Sequence, residues 1–155
     1  MEPIAYEEMT SGEELAVCVL VKQVFDELVA PDYCQRGVDE FYRFVNPTAV
    51  AERVRSGGHV LVAKKSEKIV GVLEFVPPDR IALLFVTLRG QGIGKELVTR
   101  IIDKAKYENP SLSKVTVHSS PYAKAAYQKM GFRQSGDATT EHGIQFIPME
   151  LGIED

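Results

Sequence analysis

The chain has 155 residues, of which 45% are apolar and 26% charged, and a net charge of −4 at neutral pH. That length suits one compact domain with a sizeable core, and the balance is that of an ordinary globular protein. The acidic excess argues against a nucleic-acid partner, which demands a basic face, and no apolar run approaches the ~20 residues of a membrane span.

Met1-Glu2-Pro3-Ile4 carries no basic region and no cleavable apolar stretch, which predicts a cytoplasmic protein. Ile4 to Glu8 reads as a short first strand, and Ser11-Gly12-Glu13-Glu14 has the S-x-x-E form of a capping box. Behind it Val17, Leu20, Val21, Val24, Phe25 and Leu28 share one helical face, which Pro31 ends. Cys18 falls within that apolar pattern and reads as a buried, inert thiol. Cys18 and Cys34 are the only cysteines; their spacing is not that of a metal site, so they fit a reducing compartment and no metal. Val38, Phe41, Tyr42 and Val45 predict a second, short helix, and Asn46-Pro47 breaks it and caps a further turn or two through Arg53.

The period then changes. His59 to Lys65, Lys68 to Val76 and Arg80 to Leu88 read as three strands joined by short connections, hence antiparallel hairpins. Ile81 to Val86 is nearly all apolar, as in a central strand covered on both faces. Ile93, Leu97, Ile101, Ile102 and Ala105 trace a helix of about four turns, stopped by Asn109-Pro110-Ser111. Lys114 to His118 alternates as a strand, and the helical crossover before it makes it parallel to its predecessor. Ser120-Pro121 opens another helix with Ala123, Ala126, Tyr127 and Met130 on one face and Gly131 as its cap. Phe132 to Ser135 and Gln145 to Leu151 close the sheet as a hairpin-like pair around an exposed loop, Gly136 to Gly143. The fold class is α/β (α+β), one mixed central sheet in the order β-α-α-β-β-β-α-β-α-β-β.

Chemistry concentrates where the Arg80–Leu88 strand meets the following helix. Arg89-Gly90-Gln91-Gly92-Ile93-Gly94-Lys95 has glycine at every second position. Such a junction leaves backbone N–H groups open at a helix start, a site suited to phosphate. Glycine lets the main chain come close. Arg89 and Lys95 put positive charge beside the helix N-terminus, which is unfavourable unless an anion sits between them. The loop is not a P-loop: Arg89 stands where the first glycine belongs, and Glu96 follows Lys95 in place of the magnesium-binding hydroxyl. It is not G-x-G-x-x-G either, because Lys95 takes the last position.

The remaining pattern, R-x-x-G-x-G at Arg89, Gly92 and Gly94, resembles the pyrophosphate-binding motif of the GNAT N-acetyltransferases. A second segment, Ser119-Ser120-Pro121-Tyr122-Ala123 with Tyr127-Gln128-Lys129-Met130-Gly131-Phe132, resembles that superfamily's N-x-x-A-x-x-x-Y-x-K-x-G-F. The resemblance implies an acetyl-CoA-dependent enzyme that moves an acetyl group to a primary amine by direct attack, without a metal. It places cofactor contacts along Leu84, Phe85 and Val86, at Arg89, Gly90, Gln91, Gly92, Ile93, Gly94 and Lys95, and at Ser119, Ser120, Ala123 and Tyr127. Two departures stand out. The turn between Val86 and Arg89 is shorter than the usual form, and Ser120 replaces asparagine, with a shorter hydrogen-bonding reach.

An amine arrives mostly protonated, so the reaction needs a base. Glu74, set among apolar strand neighbours, and His118, at a strand end beside the second motif, are the candidates, with water as the third. Each also reads as an ordinary solvated or hydrogen-bonded residue. The resemblance assigns the oxyanion donor to a main-chain N–H near Val86 and the acid that protonates the leaving thiolate to Tyr127, which lies on the inward helical face. It also borders the acceptor pocket with the first two helices and the last strand pair, and so with Asp32, Tyr33, Asp39, Glu40 and Tyr42, which would suit a cationic amine or else are plain helix-surface charges. The acceptor is a small molecule or a peptide. Homodimers are common in the superfamily, and no segment here marks an interface. The alternatives are a regulatory module that binds coenzyme A without catalysis and a nucleotide-binding protein using the same loop.

Overall fold

In a computed structural model of the chain, residues 3–153 are described. Strand β1 (Ala5–Glu8) leads to helices α1 (Glu14–Leu28), α2 (Gln35–Phe44) and α3 (Pro47–Arg55). Then come β2 (His59–Lys65), β3 (Lys68–Val76), β4 (Arg80–Val86), α4 (Ile93–Glu108), β5 (Lys114–Ser119), α5 (Lys124–Lys129), β6 (Arg133–Gln134), β7 (Thr139–Glu141) and β8 (Ile144–Gly152). The sheet runs β1-β2-β3-β4-β5-β8-β6, with β7 pairing β8. Only β4 and β5 pair in parallel, across the α4 crossover; the other pairs are antiparallel.

Local chemistry accounts for most boundaries. The Asn46 side chain accepts from the Ala49 N–H at 2.9 Å and caps α3, with Pro47 in its first turn. This capped segment is a full helix through Arg55, so three helices rather than two separate β1 from β2. The expected Ser11–Glu14 capping box does not form: α1 starts at Glu14 with Glu13 at its N-cap position and no side-chain cap. The Glu13 carboxylate closes the turn before the helix instead, accepting from the Thr10 N–H at 2.8 Å and from the Thr10 hydroxyl at 3.0 Å. The loop expected at Gly136 to Gly143 contains β7, which pairs back on β8 through a turn at His142 and Gly143, both at positive φ. β4 ends at Val86 rather than Leu88.

Each face of the sheet carries its own apolar cluster. On one, α1 and α3 lay Val17, Val21 and Val50 on Val60, Val62 and Val72. On the other, α4 lays Leu97, Ile101 and Ala105 on Ala63, Leu73 and Phe75. Gly71 sets the depth of α4: a Cβ there would lie 2.9 Å from Ile93 Cγ2 and 3.3 Å from Leu97 Cδ1. Any larger residue would push the helix start, and the loop feeding it, off the sheet. Among the described residues no helix is long and apolar enough to cross a membrane.

Candidate active site

β4 and β5 pair only at Arg80–Thr116 and Ile81–Val117. Beyond Ile81 they diverge, and a cavity of about 670 Å³ fills the fork. Strand alternation puts Leu84 and Val86 against the α4 cluster and Leu83 and Phe85 against the α1 cluster, and all four line the cavity. The cavity therefore passes through the sheet from one face to the other. This is also why Leu84, Phe85 and Val86 are only half-buried, where a central strand was expected to be covered on both faces.

At one end stands the glycine loop. Gly92 is the N-cap of α4, at φ +72°, and offers no side-chain cap. The first bond of the helix runs from the Glu96 N–H to the Gly92 carbonyl at 3.0 Å, so the N–H groups of Ile93, Gly94 and Lys95 have no partner within it. Gly90, Gly92, Ile93, Gly94, Lys95 and Arg89 line the cavity; Gln91 is exposed and does not. Lys129 joins them, and the Arg89 guanidinium lies 5.7 Å from the centre of the Tyr122 ring. No Asp or Glu is among the lining residues. Open amides, the positive end of a helix and three cations make this an anion cradle.

The middle of the cavity holds the polar groups of β4, β5 and α5. The Thr87 N–H bonds to the Val70 carbonyl at 2.9 Å. By alternation the Val86 N–H then points to the opposite edge of β4, where β5 has already peeled away. Tyr127 is 5% exposed and stacks edge-on against Phe132. Among the described residues no protein group bonds its hydroxyl. Burial pushes that hydroxyl well above the ordinary phenol range, so it holds its proton. Ser120 and Ala123 line the cavity, and the Ser120 hydroxyl oxygen accepts from the Ala123 N–H at 3.1 Å, capping the turn into α5. Ser119 does not reach the cavity. Its side chain is buried and donates to the Ser120 carbonyl at 2.7 Å.

His118 lines the cavity and stacks on Phe146 with ring centres 4.0 Å apart. Its Nε2 lies 3.2 Å from Arg80 Nη2; arginine only donates, so Nε2 accepts and the neutral ring carries its proton on Nδ1. Burial first, and then the Arg80 charge, lower its pKa, against a smaller opposing pull from Glu141. Glu74 goes elsewhere. It faces α3, 1% exposed, and its carboxylate accepts from Arg53 Nε at 2.6 Å and Nη2 at 3.0 Å. The Arg53 guanidinium sits 3.6 Å above the Phe44 ring. Glu74 thus ties α3 to the sheet and does not line the cavity.

Of the acceptor-side candidates only Tyr33 reaches the cavity. Asp39 accepts from Gln35 Nε2 at 2.8 Å, Glu40 pairs with Arg43 at 3.4 Å, and Tyr42 donates to Asp26, all on outer helix surfaces. Asp32 lies exposed in a 3₁₀ turn. In their place the wall is apolar, built by Val24, Phe25, Leu28, Val29 and Phe41. A helical apolar stripe has the same sequence pattern whether it packs a core or walls a cavity, so no local signal sets these residues apart. Tyr122 and Lys129 were also missed as lining residues, although they sit inside the second motif.

An open helix start at a strand-to-helix junction, flanked by cations and opening into a cavity through a forked mixed sheet, is a site suited to a phosphate-bearing ligand. The chain belongs to the GNAT acetyltransferase family, whose acetyltransferase domain matches residues 29–153. Similar solved structures include a GCN5-related N-acetyltransferase from Rhodopseudomonas palustris, with TM-score 0.83 and 19% identity over 99% of this chain and 98% of that one. The PaiA N-acetyltransferase of Thermoplasma acidophilum, solved with coenzyme A, gives TM-score 0.79 and 16% identity over 97% and 99% of the two chains. The spermidine N-acetyltransferase of Vibrio cholerae, solved with CoA and spermine, gives 0.64 and 14% over 96% and 95%. In sequence the chain is 32% identical over 62 residues to the UPF0039 protein sll0451 of Synechocystis, a match spanning 40% of each protein.

Proposed function

We propose that the chain is a single-domain N-acetyltransferase that moves an acetyl group from acetyl-CoA to a primary amine. One observation carries this reading: a single cavity joins the open amides of Ile93, Gly94 and Lys95 to the unpaired Val86 N–H and the Tyr127 hydroxyl. The residues fit the donor. The amides, with Arg89, Lys95 and Lys129, hold a diphosphate, and the narrow passage between β4 and β5 takes an extended arm. Bound there, acetyl-CoA supplies an activated acetyl thioester.

The protein's part follows from geometry. The Val86 N–H donates to the carbonyl oxygen as negative charge builds on it. The amine nitrogen bonds to the carbonyl carbon, the carbon–sulfur bond breaks, and the Tyr127 hydroxyl gives its proton to the departing sulfur. Apolar surroundings penalise phenolate and thiolate alike, which keeps the two acids matched. His118 stays neutral at pH 7 and takes the proton of the attacking amine at Nε2 once Arg80 releases it. Both thiols, Cys18 and Cys34, are free, which supports a cytoplasmic setting.

Thermal-shift and calorimetric titrations with acetyl-CoA, CoA and ATP, followed by thiol release over an amine panel, test the reading. CoA and acetyl-CoA are expected to stabilise the protein, ATP is not, and thiol release is expected to require an amine. Retention of CoA without thiol release on any amine would leave a non-catalytic binding module; no retention would remove the assignment.

A further inference from the structure

The acceptor end of the cavity has its own chemistry. On the α1 side of β4 it is walled by Leu28, Val29, Tyr33, Phe41 and Phe85, with Phe25 beneath them. Phe41 stacks on Phe25, the ring centres 3.8 Å apart and the planes 4° from parallel. Phe85 meets Phe41 edge-on at 5.8 Å, and Tyr33 meets Phe25 edge-on at 5.3 Å. Phe25 is completely buried, whereas Tyr33, Phe41 and Phe85 are only half-buried. Three rings thus leave aromatic surface uncovered at a cavity that continues to Val86 and Tyr127. Among the described residues no protein group bonds the Tyr33 hydroxyl.

From this geometry, and resting on the N-acetyltransferase reading, we infer that the acceptor is an arylalkylamine: a flat aromatic body on a short primary-amine arm. A cationic polyamine needs carboxylates along its length, and the lining holds none; its charged members, Arg89, Lys95 and Lys129, are all cations. The apolar wall favours the neutral form of an incoming amine, which is the nucleophile. Phe85 and Val86 are consecutive, about 3.3 Å apart along the strand. A ring on Phe85 therefore places an amine two or three bonds away next to the carbonyl held by the Val86 N–H. A long acyl chain in the same box would close the route to the thioester carbon opposite the donor arm, so the box is assigned to the acceptor.

The test compares kcat/KM for phenylethylamine, hexylamine and spermidine at saturating acetyl-CoA, with the acetyl-CoA Kd measured separately. Phenylethylamine is expected to exceed hexylamine by about 10-fold, and spermidine is expected to be the poorest of the three. Phe41→Leu, which stays apolar and removes the ring, is expected to cut the phenylethylamine-to-hexylamine ratio by about 5-fold with an unchanged acetyl-CoA Kd. Tyr33→Leu serves as the second variant if Phe41→Leu fails to fold. The inference alone is overturned if acetyl-CoA binds and spermidine or hexylamine is preferred, if no arylalkylamine is turned over, or if the variants leave the ratio unmoved. It is equally overturned if hexanoyl-CoA outpaces acetyl-CoA and Phe41→Leu changes the acyl preference instead. If acetyl-CoA does not bind at all, the N-acetyltransferase reading fails first and this inference goes with it.

Discussion

Replacing Gly94 with alanine separates what the fold needs from what the ligand needs. Gly94 sits in the first turn of α4, outside the positive-φ region. A Cβ there would lie 3.5 Å from Met130 Cε, 3.8 Å from Val86 Cγ2 and 4.0 Å from Leu84 Cδ2, all ordinary contact. Alanine in place of glycine in a helix gains about 0.5–1 kcal/mol. For a chain of this size that raises Tm by roughly 1–4 °C. The new methyl also lies beside Met130, Val86 and Leu84, all of which line the cavity, and narrows it next to the Gly94 amide. Losing one charge-assisted hydrogen bond costs about 1.5–3 kcal/mol, so CoA binding should weaken about 10- to 150-fold. Urea denaturation of the ligand-free protein and calorimetric titration of CoA read the two effects independently. Gly92→Ala is the contrast: at φ +72° it should lose about 1 kcal/mol of stability. An unchanged CoA affinity in Gly94→Ala, or a less stable ligand-free protein, would refute the cradle argument.

Three further outcomes are expected. Tyr127→Phe should keep CoA affinity and lower kcat by about 100-fold or more; an unchanged single-turnover rate would take Tyr127 out of the chemistry. If His118 accepts the amine's proton, activity falls as pH drops through its lowered pKa, so the acid limb lies below the usual imidazole value of 6.5. Arg80→Met removes a cation that holds this pKa down, and the limb should move to higher pH; a stationary limb excludes His118. Arg53→Leu strands the buried Glu74 carboxylate and should cost about 3 kcal/mol in denaturant melts, most of it recovered in Arg53→Leu/Glu74→Leu. That folded double variant should turn over normally; loss of turnover would restore Glu74 as the base.

Much of the fold was legible because its signals are local. The change of period and the short connections marked the strands His59–Lys65 and Lys68–Val76 to the residue, and Asn46-Pro47 and Pro31 marked helix ends through backbone chemistry each carries by itself. The glycine loop was legible for the same reason: an open helix start is a property of consecutive residues. What lies across the sheet was not. Ser11-Gly12-Glu13-Glu14 has the capping pattern, but α1 starts only at Glu14 and carries no side-chain cap. Alternation placed Glu74 opposite Leu73 and Phe75, but its partner Arg53 comes from a helix 21 residues away. Ser119 and Ser120 differ only in which way a strand end turns.

The amino-acid order by itself determined most of the elements, the β-α-β crossover and the open helix start at the glycine loop, because each depends on short-range periodicity or on main-chain groups freed by glycine. Tertiary structure alone decided that β4 and β5 part after Ile81, and that the gap is faced by Tyr33, Phe41 and Phe85 rather than by Asp32, Asp39 and Glu40. A cavity is the space that elements distant in the chain fail to fill, and an apolar side chain has the same hydrophobic signature whether it meets a neighbour there or leaves room for a ligand.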